Sequence, residues 1–152
     1  MSLPTRSLVA ALEALPHGPE FRFVDRILTL EPGVTGTGEY KVRGDEVFLR
    51  GHFPHAPLFP GVLLVEATAQ LAGIVAQSDP AIPPLLGLKL TAIRAAKILG
   101  SARPGESVLL EARITGRMGH LIQAEATAKV GAQEVLQCQL TLSGKSLPGE
   151  QF

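Results

Sequence analysis

The chain has 152 residues, enough for one domain with a hydrophobic core. It carries 14 basic and 14 acidic side chains, so its formal net charge is zero, whereas a nucleic-acid-binding domain usually has a basic excess. With 45% hydrophobic residues and no biased tract, the composition is that of a folded chain and excludes a disordered one. We therefore expect a single globular domain over 1–152 that binds no nucleic acid.

The N-terminal residues lack the basic and apolar regions of a signal peptide. The longest apolar stretch, 61–75, is shorter than the ~20 residues that span a bilayer. The single cysteine, Cys138, cannot form an internal disulfide and lies in an alternating segment, which favours a small buried residue. These features favour a soluble cytoplasmic protein that does not enter a membrane.

Residues 3–15 place leucines at helical spacing, which predicts a short amphipathic N-terminal helix within 1–15. Two strand-like segments follow after a loop, one over 22–31 and one over 34–42. The second contains Gly36 and Gly38, and glycines inside a strand indicate bending or close packing against another element.

The clearest element is a helix over 61–77, GVLLVEATAQLAGIVAQ, which follows Pro60 and is apolar on nearly every face. A helix of this kind is buried by other elements. Strands predicted over 107–115, 122–129 and 136–142 supply the cover, with a hairpin turn at Gly131-Ala132 between the last two. A proline-rich connection over 78–87 and a flexible tail over 146–152 complete an α+β domain, in which a curved antiparallel sheet wraps one long helix.

Two polar residues bracket an apolar run that leads into this helix, GHFPHAPLFPGVLLVE over 51–66. His52, taken alone, is compatible with an ordinary surface or packing histidine. Glu66 lies in the second turn of the apolar helix, where it is either a carboxylate at the wet edge or a buried one. A buried carboxyl has its pKa raised by desolvation, which prepares it to act as an acid near neutral pH.

The junction between loop and helix offers a third group. The N–H of Gly61 lies at the start of the helix, where backbone N–H groups lack intrahelical partners and a carbonyl oxygen can dock. No serine or cysteine nucleophile accompanies the run, and His52 and His55 lack the further ligands that zinc needs. Proton transfer beside an activated carbonyl is therefore the inferred chemistry, with no metal and no cofactor.

The run GHFPHAPLFPGVLLVEATAQLAGIVA over 51–76 closely resembles the signature of the FabZ/FabA-type 3-hydroxyacyl-acyl-carrier-protein dehydratases. In that family GHFPG-x-P-x-x-PGV leads into a helix bearing EAMAQ, with the same fourteen-residue separation between histidine and carboxylate as His52 and Glu66. Residues 15–28 are similar to the family's upstream PHR-x-P-F-LLVDRV segment, and residues 102–114 resemble its PGD strand entry. The resemblance covers most of the chain.

The resemblance implies a hotdog fold and a dimer, or a trimer of dimers, in which His52 of one chain faces Glu66 of the other. It implies dehydration of a (3R)-hydroxyacyl thioester to the trans-2-enoyl thioester, with His52 taking the C2 proton and Glu66 handling the proton on the departing 3-hydroxyl. Gly61, Phe53, Val62 and Gln70 are the implied substrate contacts. Gln70 either orients Glu66 or makes a hydrogen bond at the edge of the core.

Two residues and two segments depart from the family pattern, one segment being the connection after the long helix, IPPLLGLKL over 82–90. His55 occupies the fourth position of the HFPG motif, Gly18 replaces the arginine of PHR, and RAAKILGSA over 94–102 lacks the family's Arg-Phe pair. The acyl carrier, either acyl-carrier protein or CoA, and the chain length are therefore left open. Because acyl-carrier protein is acidic, a basic docking face is expected, and the candidate residues, each also compatible with a solvated surface charge, are Lys89, Arg94, Lys97 and Arg103.

Two other functions are compatible with this fold. One is a hotdog thioesterase in which Glu66 activates water, and the other is a non-catalytic acyl-binding or assembly subunit. The intact His52 and its spacing from Glu66 favour dehydration, in fatty-acid or related lipid or polyketide synthesis.

Overall fold

A computed structural model describes residues 3–146 of the chain. A nine-residue helix, α1 (Thr5–Glu13), precedes two strands, β1 (Arg26–Glu31) and β2 (Thr35–Lys41). Helix α2 (Gly61–Gln77) follows, and four longer strands end the domain: β3 (Leu86–Ile98), β4 (Ser107–Met118), β5 (Leu121–Val130) and β6 (Gln133–Lys145). Short 3-10 helices cover Pro19–Phe21 and Val47–Arg50. The predicted tail lies, apart from Ser146, outside the described residues.

All six strands form one antiparallel sheet in the order β1-β2-β4-β5-β6-β3. The predicted meander of β4, β5 and β6 is confirmed, and the two residues Gly131 and Ala132 join the last two strands, with Gly131 at a φ of 59°. The sheet packs on α2, and the α+β architecture expected from the sequence is therefore confirmed.

Small residues bring the helix close to the sheet. Ala124, Ala126 and Ala128 are buried on β5. On β2, a Cβ added to Gly36 would lie 2.8 Å from Val75 Cγ2, so the close packing predicted for this strand is confirmed. Cys138 is also buried, as predicted, with its Sγ 3.7 Å from the Thr68 hydroxyl.

Strand β3 was not predicted from the residue pattern, which gave only a proline-rich connection up to residue 87. Its register against β6 shifts at three places, and both Gly87 and Ala95 have positive φ, of 60° and 50°. Bulges of this kind break the alternation that identifies a strand in sequence. Within residues 3–146, neither helix has the length and apolar character needed to cross a bilayer.

Candidate active site

Helix α2 carries a single charged side chain along its seventeen residues, the half-buried Glu66. Burial raises the pKa of Glu66, while the nearby charge of His17 and the side chain of Gln70 act in the opposite direction. A raised pKa leaves more of this carboxyl protonated near neutral pH than an ordinary glutamate would be. Glu66 is therefore suited to give a proton to an oxygen that leaves the substrate.

Glu66 opens into a cleft of about 770 Å³ along one face of α2. This face also presents Ala69, Gln70, Gly73, Ile74 and Gln77. The opposite walls come from the end of α1 and the segment after it, from the start of β3, and from Leu142 on β6. The walls beyond Glu66 are mostly apolar, so the cleft suits an aliphatic group attached to a polar reacting end.

Gln70 is buried and both ends of its amide bind backbone atoms. Its Oε1 accepts from the Phe23 N–H at 2.9 Å, and its Nε2 donates to the Phe21 carbonyl at 2.8 Å. These bonds fasten the segment around residues 21–23 to α2, beside Glu66. Of the two roles left open for Gln70, the structural one is directly visible, and its side chain also lowers the pKa of Glu66.

The same segment brings His17 to the cleft, a residue that the sequence analysis did not single out. Arg22 holds this loop by donating to the carbonyls of His17, at 2.8 Å, and of Leu15, at 3.0 Å. His17 and Glu66 are 49 residues apart, so local patterns cannot pair them. The signal that could have found His17 is its place in the upstream motif, directly after Pro16.

His52 follows the second 3-10 helix and is half-buried. Its Nδ1 lies 3.0 Å from the Leu58 carbonyl oxygen. Because a carbonyl oxygen can only accept, Nδ1 carries the proton, and in the neutral ring Nε2 keeps its lone pair. The Leu58 N–H donates back to the His52 carbonyl at 2.9 Å, which closes the loop. The ring of His52 is thereby oriented so that the lone pair of Nε2 is available to accept a proton.

The segment between His52 and α2 is fixed by an aromatic cluster. The buried Phe59 ring lies 5.3 to 5.7 Å from the rings of Phe23, Tyr40 and Phe48. The Phe59 N–H also donates to the Ala102 carbonyl at 2.9 Å. Residues 52–60, which we call the histidine loop, are therefore anchored to the core through Phe59, although residues 53–56 are exposed.

His55 does not disturb this loop. The Ala56 N–H donates to the Phe53 carbonyl at 3.1 Å, so residues 53–56 form a turn with His55 exposed inside it. The departure from the family motif at this position leaves the turn intact.

Gly61 is the first residue of α2, and within residues 3–146 its N–H has no assigned hydrogen-bond acceptor. A Cβ at this position would lie 2.7 Å from Ile98 Cδ1, so any side chain here would force the exposed Ile98 side chain of β3 to move. The neighbouring Val62 and the loop residue Phe53 are 71% and 53% exposed. Phe53 stacks on the His52 ring with centroids 4.4 Å apart.

The predicted site residues thus fall into two groups within one chain. Glu66 and Gln70 line the cleft, whereas His52, Phe53, Gly61 and Val62 are not among its lining residues. Of the four candidate docking cations, Lys89 lies at the cleft, and Arg94 and Lys97 continue along β3 opposite Gln139 and Gln137 of β6. Within the described part of the chain, none of these cations, Arg103 included, forms an ion pair.

Comparison with known families identifies the class. Residues 15–139 match the FabA-like domain family. The chain therefore belongs to the FabA-like family, and the resemblance read from the motif at 51–76 is confirmed.

Two curated relatives of this chain share the name FabZ. The 3-hydroxyacyl-[acyl-carrier-protein] dehydratase FabZ of Caldanaerobacter subterraneus subsp. tengcongensis is 41% identical over 127 residues, which are 83% of this chain and 89% of the relative. FabZ of Listeria monocytogenes is 36% identical over 136 residues, covering 90% and 94% of the two chains.

Solved structures confirm the hotdog fold. The dehydratase heterocomplex ApeI:P from Xenorhabdus doucetiae superposes with a TM-score of 0.72 at 14% identity, covering 91% of each chain. Zebrafish thioesterase superfamily member 2 gives a TM-score of 0.70 at 16% identity, covering 95% of this chain and 100% of the other. At such identities these neighbours establish the fold and not the reaction, since a dehydratase and a thioesterase share it.

Proposed function

We propose that this protein removes water from (3R)-3-hydroxyacyl thioesters to give trans-2-enoyl thioesters, in fatty-acid or related lipid or polyketide synthesis. The observation that carries the proposal is Glu66, a carboxyl with a raised pKa that lines a mostly apolar cleft. The family and the FabZ names of its curated relatives support the same reaction.

The chemistry needs one base, one acid and one carbonyl anchor. Nε2 of His52 takes the proton from C2, whose acidity rises when the Gly61 N–H binds the thioester carbonyl oxygen. The C3–O bond breaks as Glu66 protonates the departing hydroxyl, which leaves as water. The electron pair of the broken C2–H bond forms the C2=C3 double bond, so the reaction balances without a cofactor.

A second copy of the chain would bring the two groups of site residues together. Among residues 3–146, strand β3 pairs with β6 on one side and has no strand on the other, and long open edges are templates for pairing. Exposed apolar side chains, Phe53, Val62 and Ile98, surround the histidine loop and the helix start at one end of β3. Their burial in a homodimer, alone or within a trimer of dimers, would set His52 of one chain against Glu66 of its partner.

Acyl-carrier protein is the proposed acyl carrier, as the names of the relatives suggest. Lys89, Arg94, Lys97 and Arg103 are cations without an acidic partner among residues 3–146, so they are available to an acidic surface. If they dock the carrier, exchanging them for glutamine raises the KM for the carrier-linked substrate and leaves the KM for the CoA substrate nearly unchanged. The KM for carrier-linked substrate should also rise with salt in the native protein.

The test of the reaction is a direct assay with 3-hydroxyacyl and enoyl thioesters, on both CoA and acyl-carrier protein. Formation or hydration of the conjugated double bond is the expected result. Release of free thiol would indicate a thioesterase, and inertness toward every chain length would indicate a non-catalytic acyl-binding subunit.

A further inference from the structure

The cleft face of α2 contains a glycine in the middle of the helix. Gly73 lies seven residues after Glu66, about two turns further along the same face at 3.6 residues per turn. Glycine is, after proline, the least favourable residue in a helix interior. A glycine retained there requires a reason in packing or in function.

Packing within the chain does not supply that reason. The backbone of Gly73 does not have the positive φ that favours glycine. A Cβ added to it would lie 3.6 Å from Leu88 Cδ2 and 3.9 Å from Leu142 Cδ1, which is ordinary van der Waals contact. Gly61 differs, because a Cβ there would meet Ile98 at 2.7 Å. The fold of this chain therefore accepts alanine at Gly73.

Because glycine has no side chain, Gly73 leaves space open in the cleft. Gly73 lines it together with Ile74 on α2, with Leu88 and Leu90 on β3, and with Leu142 on β6. These side chains give this part of the cleft a mostly apolar lining, although Gln77, Ser78 and Lys89 also reach it. Since Glu66 acts at C3 of the substrate, the groups attached beyond C3 are the ones that would extend toward these walls.

We propose that Gly73 is a specificity-determining residue, which keeps the cleft wide enough for the tail of a long acyl chain. The inference rests on the proposed function, because it takes the acyl thioester as the occupant. Gly73 lies seven residues, or about 10 Å of helical rise, beyond Glu66, so only an acyl tail long enough to span that distance reaches it. The selection therefore acts on medium and long chains.

The experiment compares the native protein with Gly73→Ala on 3-hydroxybutanoyl and 3-hydroxydodecanoyl thioesters. The ratio of kcat/KM for the long substrate to that for the short one should fall about tenfold or more, because a methyl group added to a filled cleft overpacks it. The variant should also unfold at a higher temperature, since alanine favours the helix. A merely structural glycine would not change the ratio.

Gly116→Ala is the matched control. Gly116 is a glycine of β4 outside the cleft, and a Cβ there would find only Gln123 Oε1, at 3.6 Å. The ratio should stay within twofold in this variant.

Equilibrium binding of dodecanoyl-CoA and butanoyl-CoA to both proteins measures the same selectivity without turnover, so an absence of dehydratase activity would count against the proposed function alone. The inference is supported if Gly73→Ala weakens the binding of dodecanoyl-CoA tenfold more than it weakens the binding of butanoyl-CoA, each compared with the native protein. Equal effects on the two chain lengths would overturn it. A changed subunit number of Gly73→Ala in light scattering would also overturn it, because the glycine would then serve an interface between copies.

Discussion

The two halves of the site differ in how much of their surroundings one chain provides. Glu66 lies in a cleft walled by two helices and two strands, and a clamped loop covers its flank. The histidine loop is anchored to the aromatic core through Phe59, but Phe53 on this loop and Val62 at the start of α2 are exposed apolar groups. Glu66 is therefore placed by its own chain, whereas His52 is oriented by its own chain and, among residues 3–146, has no counterpart on its exposed side. The difference favours a site that is completed by a second copy.

The largest effect is expected from removing either proton-transfer group. Glu66→Gln and His52→Ala should each lower kcat/KM for a 3-hydroxyacyl thioester between about one hundredfold and ten-thousandfold, the usual contribution of general acid–base catalysis. His55→Ala is the control on the same loop and should stay within twofold of the native rate, since His55 is exposed in a turn. Near-native activity in either of the first two variants would remove that residue from the mechanism.

Gln70→Leu tests the two hydrogen bonds by which Gln70 holds the backbone of Phe21 and Phe23 beside Glu66. The variant leaves the Phe23 N–H and the Phe21 carbonyl without their partner, and each unsatisfied buried group costs about 1–3 kcal/mol. We expect the free energy of unfolding in urea to fall by about 2–4 kcal/mol. Gln77→Leu is a matched comparison, because Gln77 makes a similar pair of bonds to the backbone of Leu85 from a less buried position. Gln77→Leu should lose less free energy of unfolding than Gln70→Leu. If it loses more, the hydrogen bonds of Gln70 are not a main support of the structure around Glu66.

A smaller effect follows from the raised pKa of Glu66. Its folded-state pKa lies above its unfolded value, so the ionised carboxylate costs stability as pH rises, and no cost remains below the ordinary glutamate pKa of about 4.3. Glu66→Gln should therefore unfold at a higher denaturant concentration than the native protein at pH 7, with the gain fading toward pH 4. A variant that is less stable at pH 7 would indicate that Glu66 is paired rather than desolvated.

The sequence allowed helix α2 to be predicted to the residue, because Pro60 precedes a run at 61–77 that contains no proline and is apolar on nearly every face. The meander could be predicted equally well, since Leu, Ala and Cys alternate with polar residues along β5 and β6. Strand β3 was not, because three register shifts and exposure on both faces remove its period-two signal. Gly61, His52 and Glu66 were found through their motif, whereas the approach of His17 to Glu66 depends on the folded path of the chain.

Each active site, as we propose it, combines His52 of one chain with Glu66 of another. The direct measurement mixes His52→Ala and Glu66→Gln, each nearly inactive alone, by unfolding and refolding the two together. In a two-fold dimer, random mixing gives half heterodimers, each with one intact site, so about a quarter of the native activity should return. If both residues of a site came from one chain, no mixed dimer would hold an intact pair, and activity that stays at the level of the separate variants would contradict the claim.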